Sequence, residues 1–302
     1  MDLRKLLHFQ AVIDGGSFRA GAARVHISAP ALTKSIQTLE AELGEPLFKR
    51  RHGQPVLTEA GLLLSQRCQR ILAEIESINR DLGGLSRVQT GLVRLGSGPA
   101  VAQSLLGAAM GHLHEGNPGI QVSVVVGNSD QLLALLENAE LDLVVADMGI
   151  AESHPELLTE PLPGEEIHWI AHSGHPLAGT TETTLAALTR FPLALPRAPR
   201  HMIAALQRHH GVETVRAIRG PAVQTDDYRV LLNLAHSGRY LSAAPMSLIQ
   251  DARRSMDLVI IPVVDFRLHT RAGLIRRRAS PASSALLMVM TAFRLASNTV
   301  PD

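Results

Sequence analysis

Two short helical patterns joined by a tight turn, within the first 44 residues, constrain the fold of this chain more than any other feature. Ser17 is a favourable N-cap for a helix of small residues over 18–25, and small residues let another helix cross closely. Ser28 is an N-cap for a second helix, in which Pro30 occupies the first turn. Its apolar side chains recur at spacings of four, three and four, which predicts one buried stripe: Leu32, Ile36, Leu39 and Leu43. With an amphipathic helix over residues 3–13, the pattern predicts a helix-turn-helix unit.

The opposite face of that last helix carries short polar, amide and basic side chains. Thr33, Lys34 and Gln37 have the reach to read base edges in a DNA major groove. Pro30 lies on the same face, and Ser28 is expected to contact a phosphate. An ordinary solvated helix face is the alternative. The small-residue helix before this face and the basic segment after it favour DNA.

The basic segment, residues 47–58, is predicted to be a strand, a turn and a strand, which together form a wing. Arg50 and Arg51 lie near its tip and are expected to contact phosphates or to enter a minor groove. Residues 1–57 hold eight Lys and Arg against five acidic residues, a net charge of +3 in a chain whose total is +1. The remainder is therefore slightly acidic, and a basic first segment suits a nucleic-acid partner.

The first 61 residues resemble the winged head of LysR-type transcriptional regulators, through Ser17-Phe18, Ala22-Ala23, Ser28 to Ile36, Leu47 to Arg50 and Leu57 to Gly61. The resemblance implies a DNA-binding domain over 1–57 and double-stranded operator DNA as its partner. Three positions depart from the common family pattern: Ala29 for a glutamine and Thr33-Lys34 for Ser-Arg. Lysine lacks the bidentate fork of arginine, so the operator sequence does not carry over from the family.

Residues 58–90 are predicted to form a linker helix followed by a hinge. Apolar side chains alternate at spacings of four and three, as in a coiled coil: Leu64, Cys68, Ile71, Ile75, Ile78, Leu82 and Leu85. This heptad seam predicts a homodimer, or a homotetramer built from dimers. Cys68 is expected to lie in the seam near its counterpart, either as a redox switch or, with more weight, as a small buried hydrophobe.

Residues 91–302 change to alternating strands and helices, beginning with a β-α-β-α-β pattern that predicts a parallel sheet. Gly91 to Gly96, Asn117-Pro118, Gly127 to Ser129 and Leu141 to Val145 are similar to the effector domain of the same family. That resemblance implies the two-lobed architecture of periplasmic binding proteins. The expected fold is thus α/β with an N-terminal all-α winged helix-turn-helix, a coiled-coil linker and a two-lobed effector domain.

Two open α/β lobes bind small ligands in the cleft between them, beyond the carboxyl ends of the strands. Candidate ligand residues follow from position at strand-to-helix turns: Ser97, Gly98, Asn128, Ser129, Arg197, Arg200, His201, Gln224 and Thr225. Simple N-capping and solvated loops are the alternative roles for these residues. The helix starts and the two arginines predict a small, anionic effector.

Other chemistry has little support in the sequence. No nucleophile–base set, dinucleotide fingerprint or metal-ligand cluster stands out, so neither catalysis nor a metal or cofactor is expected. One cysteine, no membrane-length apolar run and no signal-peptide pattern predict a cytoplasmic protein without a membrane partner.

The sequence therefore predicts an effector-modulated transcription regulator, with RNA polymerase as a further expected partner. A ligand-independent architectural protein or repressor, whose body only oligomerises, is the second hypothesis. An enzyme with a DNA-targeting head is the third.

Overall fold

The computed structural model describes residues 2–51, 54–65, 67–68, 71–72, 75 and 91–298. The chain divides into two compact units, here named the head (Met1–Gly83, with Glu137–Glu140) and the body (Gly84–Leu136 and Leu141–Asp302). No helix among the described residues combines the length and the apolar character needed to cross a membrane.

The head begins with three helices, α1 (Leu3–Gly15), α2 (Phe18–Arg24) and α3 (Ala29–Leu43). Their predicted caps are confirmed: the hydroxyls of Ser17 and Ser28 accept the amides of Ala20 and Ala31 at 3.1 and 3.3 Å. Gly44 ends α3 in the left-handed region that favours glycine (φ 75°). Local side-chain chemistry thus determines where these helices start and stop.

The core of the head lies where α1, α2 and α3 meet. Leu32, Ile36 and Leu39 are buried as predicted, but the prediction for Leu43 is wrong, because this side chain is 40% exposed. Leu43 occupies the last turn of α3, directly before the chain reverses at Gly44. On α1, Leu3 and Leu7 are likewise exposed, so the helix buries only part of the apolar face that its sequence pattern shows.

The wing forms as predicted, from β1 (Phe48–Arg51) paired antiparallel with β2 (Gln54–Leu57). A fourth helix, α4, starts at residue 59, and residues 59–65, 67–68, 71–72 and 75 are helical. The seam residues Ile78, Leu82 and Leu85 and the hinge up to residue 90 lie outside the described residues.

The expectation for Cys68 is corrected. The side chain is fully buried in the core of its own head, and its thiol donates a hydrogen bond to the Leu6 carbonyl at 3.4 Å. The side chain faces its own head, because it packs in one cluster with Leu6 and Phe9 of α1. The role of small buried hydrophobe is thus the one that the structure supports.

The first lobe of the body contains a five-stranded sheet of order β4-β3-β5-β12-β6. The strands are β3 (Gly91–Ser97), β4 (Ile120–Val126), β5 (Leu143–Asp147), β6 (Leu157–Pro161) and β12 (Ala272–Arg277). The predicted parallel arrangement holds for β4, β3 and β5, whereas β12 runs antiparallel to β5 and β6. The lobe's helices are α5 (Pro99–Ser104), α6 (Leu106–Gly116), α7 (Ser129–Glu137) and α13 (Ser284–Asn298).

The second lobe contains β7 (Ile167–His172), β8 (Ala194–Leu195), β9 (Val223–Gln224), β10 (Ser242–Pro245) and β11 (Leu258–Ile261). β7 lies antiparallel between β10 and β11, and a parallel bridge between Leu193 and Leu241 joins β8 to this group. Its helices are α8 (Leu185–Leu188), α9 (Arg200–His209), α10 (Val212–Arg219), α11 (Tyr228–His236) and α12 (Met246–Ala252).

The chain crosses between the lobes twice, before β7 and after β11. The two crossovers pair with each other: the Glu165 amide donates to the Thr270 hydroxyl at 2.9 Å, and the Thr270 amide donates to the Glu165 carbonyl at 2.8 Å. The final crossover returns the chain to the first lobe, where β12 enters the sheet and α13 packs on α6. The C-terminal segment therefore completes the first lobe.

Candidate functional sites

The exposed face of α3 brings the predicted base-reading residues together. Lys34 and Gln37 are exposed on consecutive turns, and Thr33 beside them is half-buried. The Thr33 hydroxyl donates to the Ala29 carbonyl at 2.9 Å, so its proton is engaged and its lone pairs remain free to accept. Ser28 and Pro30 are exposed at the helix start, whose first turn contains no acidic residue. This arrangement leaves the positive end of the helix dipole open to an anion.

The wing is attached to α3 through one carboxylate. Glu40 accepts the amides of Leu47 and Phe48 at 2.7 and 3.2 Å, which holds the first wing strand against the helix. Phe48 also packs its ring against Phe9 and Phe18, with ring centroids 5.3 and 5.6 Å apart. The predicted recognition helix and wing are therefore held in one fixed geometry.

Arg50 and Arg51 belong to β1, opposite Pro55 and Gln54 across the wing. Their side chains, and the tip residues His52 and Gly53, lie outside the described part of the structure. Lys49 is exposed on the same strand. Lys5 is engaged within the head: its ammonium lies 2.6 Å from Glu42, and this hydrogen bond raises the pKa of Lys5.

A cavity of about 870 Å³ lies in the body, lined by residues of both lobes and both crossovers, and is here named the effector cavity. Six of the nine sequence-predicted ligand residues line it: Gly98, Asn128, Ser129, Arg197, Arg200 and His201. Asn128 also caps α7, since its side-chain oxygen accepts the Gln131 amide at 3.0 Å. Asn128 thus both caps α7 and lines the cavity.

Ser97, Gln224 and Thr225 do not line the cavity. Ser97 is fully buried at the end of β3, so only the following Gly98 reaches the wall. The Thr225 hydroxyl accepts the Asp227 amide at 3.2 Å, and Gln224 is exposed on β9. The neighbouring residues Asp226 and Tyr228 line the cavity instead.

Sequence reasoning missed a large part of the wall. The crossovers contribute Glu165, His269, Thr270 and Arg271, and β7 contributes Trp169. Nothing local in the sequence marks these residues, because strands distant along the chain bring them together. Asp147 was accessible to prediction, since it ends a parallel strand at the edge where ligands bind such sheets.

Asp147 and His201 meet in the wall of the cavity, one from each lobe. Their closest atoms, Oδ1 and Nδ1, are 3.5 Å apart, and Asp147 also accepts the Gly149 amide at 2.8 Å. Burial raises the pKa of Asp147, an effect that the neighbouring His201 opposes. A second contact across the cleft joins Gln103 of α5 to Asp227 at 3.4 Å. The two lobes therefore meet through polar contacts, which a ligand or a shift of the lobes can exchange.

A winged helix-turn-helix head joined to a two-lobed α/β body is the architecture of a class of transcription regulators. Two family models match the chain. "Bacterial regulatory helix-turn-helix protein, lysR family" covers residues 3–62, and "LysR substrate binding domain" covers residues 86–295. The chain therefore belongs to the LysR family: it is a DNA-binding transcriptional regulator and not an enzyme.

Individual relatives agree with this assignment. The SDS degradation transcriptional activation protein of Pseudomonas sp. (strain ATCC 19151) is 30% identical over 292 residues, 94% of each chain. The DNA-binding transcriptional dual regulator OxyR of Escherichia coli (strain K12) is 24% identical over 297 residues, which is 97% of this chain and 95% of OxyR.

Two solved structures share the fold. Full-length OxyR from Pseudomonas aeruginosa, a single-residue variant, gives a TM-score of 0.72 at 20% identity and covers 98% of this chain and 95% of its own. Full-length CbnR complexed with its target DNA gives 0.67 at 22% identity and covers 98% of this chain and all of CbnR.

Proposed function

We propose that this regulator reads a double-stranded operator with α3 and its wing, acting as a homodimer or homotetramer. Thr33, Lys34 and Gln37, with Pro30 beside them, read the major groove, whereas Ser28, Arg50 and Arg51 contact phosphates. The observation that carries this proposal is the exposed start of α3, free of acidic side chains and joined through Glu40 to a basic wing. The CbnR structure, solved with target DNA, supports the same use of a similar fold.

Two substitutions separate base reading from phosphate contact. Lys34→Ala is expected to relax sequence preference, because a base-edge contact contributes about 1–3 kcal/mol of discrimination. Arg51→Ala is expected to weaken binding to all DNA alike and to lower the slope of affinity against salt by about one unit. Affinities for operator and scrambled duplexes, measured over a salt series, test both. Equal losses of preference and of salt slope in the two variants would contradict the assignment of roles.

The body supplies the second half of the proposal: a small effector binds in the effector cavity and changes DNA affinity or bending. The supporting observation is a cavity of about 870 Å³ whose walls come from both lobes, because its occupant can then alter how the lobes pack. A change in lobe packing would alter the spacing of the heads on the operator and their contact with RNA polymerase. The assigned domains are 1–57 for DNA, 58–90 for dimerisation and 91–302 for the effector.

Footprinting on the DNA upstream of the coding region, with and without metabolites, tests this coupling. Metabolites that raise the Tm of the protein in a thermal-shift screen are expected to shorten, extend or shift the region of DNA that the protein protects. A protein that binds the operator but shows an unchanged footprint with every stabilising metabolite would instead be a ligand-independent regulator.

A further inference from the structure

The arginines that line the effector cavity differ in whether they form an ion pair. Arg197 and Arg200 line the cavity and are exposed. Neither forms a side-chain hydrogen bond or an ion pair within the described ranges of the chain. The other arginine of the wall, Arg271, is by contrast paired with Glu152 at 2.7 Å. Two unpaired positive charges therefore lie together on the second lobe.

The carboxylates of the wall are mostly engaged. Three of them accept backbone amides: Asp147 from Gly149 at 2.8 Å, Glu165 from Ser247 at 2.9 Å and Asp226 from Arg197 at 2.8 Å. Asp130 lies in the first turn of α7, where the positive end of the helix dipole partly offsets its charge. The wall thus holds five carboxylates against three arginines, and its unpaired positive charge is confined to Arg197 and Arg200 on the second lobe.

The start of α9 adds to this positive charge. Arg200 is the first residue of this ten-residue helix, Pro199 precedes it, and no side chain caps the helix. The first turn contains no acidic residue, and His201 follows with Asp147 as its partner. Two free guanidinium groups beside an uncapped helix start form a site for one acidic group.

The wall next to these charges is apolar. Trp169 is 2% exposed and packs edge-on to Phe266, with ring centroids 5.7 Å apart. Buried side chains from the same lobe continue this surface along the cavity: Leu195, Leu206 and Ile218. The accessible part of this apolar wall comes from half-buried side chains, among them Met202 and Phe266, and an apolar chain or ring would cover it.

We propose that the effector is an amphipathic anion: one acidic group at Arg197 and Arg200, and an apolar body along Met202 and Phe266. This inference rests on the proposed function and deepens it, because it names the chemical class that the cavity selects. Both parts are required, since the acidic group supplies charge-assisted hydrogen bonds and the body supplies the buried apolar area.

Calorimetric titration of the full-length protein with matched probes tests the proposal. Octanoate has both parts, octanamide keeps the apolar body without the charge, and acetate keeps the charge without the body. Octanoate is expected to bind at least about tenfold more tightly than either, the factor that a charge-assisted pair supplies. Octyl sulfate, used below its micelle concentration, distinguishes a sulfate from a carboxylate as the preferred acidic group.

Variants locate the binding site of the probes. The double variant Arg197→Gln/Arg200→Gln is expected to bind octanoate and octanamide equally weakly. Arg219→Gln removes an exposed arginine of α10 that does not line the cavity, and it should leave the tenfold preference intact. Tm without probes verifies that both variants fold.

Two results would overturn the proposal. One is octanamide binding as tightly as octanoate; the other is no measurable binding of either octanoate or octyl sulfate. Operator footprinting with a neutral or cationic metabolite then tests whether any effector controls DNA binding. If such a compound alters the footprint, the proposal of effector control is supported and only the amphipathic-anion class is wrong.

Discussion

At the scale of a single residue, the burial and reactivity of Cys68 depend more on the side chains around it than on its position in the heptad. The seam pattern places it between two copies, but the fold buries it beside α1 with its thiol on the Leu6 carbonyl. Burial, with a smaller contribution from the charge of Asp14, raises the pKa of the Cys68 thiol to about 11. A thiol with such a pKa is a poor redox sensor, because the thiolate is the reactive form.

We expect the native protein to resist thiol reagents. Near pH 8, roughly one thiol in a thousand would be ionised at this pKa, and the core blocks access to it. Labelling with a chromogenic disulfide should therefore become fast only when denaturant unfolds the head. Rapid reaction in the native state, before any loss of helix signal, would contradict this placement of Cys68.

At the scale of elements, the crossing of α1 and α2 depends on a missing side chain. A Cβ added at Gly21 would lie 2.7 Å from the Ala11 carbonyl oxygen and 2.9 Å from the Val12 Cα. These are backbone atoms and cannot turn aside, so the two helices would have to separate. The small residues of α2 thus allow the close contact that the sequence predicted.

Gly21→Ala is expected to lower the free energy of unfolding by about 1–3 kcal/mol, the usual cost of overpacking. Gly111→Ala is the matched control on α6, because its new Cβ would meet nothing within 4 Å. There the substitution should stabilise by about 0.5–1 kcal/mol, through helix propensity alone. Denaturant unfolding measures both changes, and a stabilising effect at Gly21 would rule out the close approach.

The contact of α13 with β6 includes a bidentate ion pair between Arg294 and Glu160. Their two N–O distances are 2.5 and 2.8 Å, and the hydrogen bonds from Arg294 lower the pKa of Glu160. A lowered carboxyl pKa stabilises the fold above the ordinary glutamate pKa, and this contribution is lost as pH falls through the lowered value. Both side chains are 40% exposed, so solvent screening limits the effect.

Arg294→Met should therefore cost about 0.5–1 kcal/mol near neutral pH and almost nothing in acid. Arg254→Met is a suitable control, because Arg254 is 82% exposed and its closest approach to Asp251 is 3.7 Å. Unfolding free energies measured across the acid range give the comparison. A difference that persists at low pH would show that Arg294 acts through packing and not through its charge.

At the scale of the whole molecule, the described start of α4 carries apolar side chains that its own head does not cover. Leu62 is 56% exposed, Leu63 is 60% exposed and Ile71 is 39% exposed. Ile71 belongs to the heptad seam that predicts dimerisation, whereas the seam residue Leu64 packs against the core of its own head. A second copy would remove such side chains from water.

Ile71→Asp is expected to shift the protein toward the monomer and to weaken operator binding through loss of the paired heads. Arg67→Ala changes an exposed, charged position on the same helix and should leave assembly unchanged. Sedimentation velocity at several concentrations measures the effect. An Ile71→Asp protein that remains fully dimeric would place the interface elsewhere.

The sequence by itself determined the helices and wing of the head, the β-α-β-α-β start of the body, and the family. These depend on local signals: N-caps such as Ser17 and Ser28, the apolar stripe of α3, and motifs read along neighbouring residues. Only the tertiary structure decided the partner of Cys68, the exposure of Leu43 and the wall of the effector cavity. Segments far apart in sequence meet at that cavity, and the side-chain direction at each strand end decides which residue enters it. Gly98 reaches the wall and Ser97 does not, a difference that local patterns do not encode.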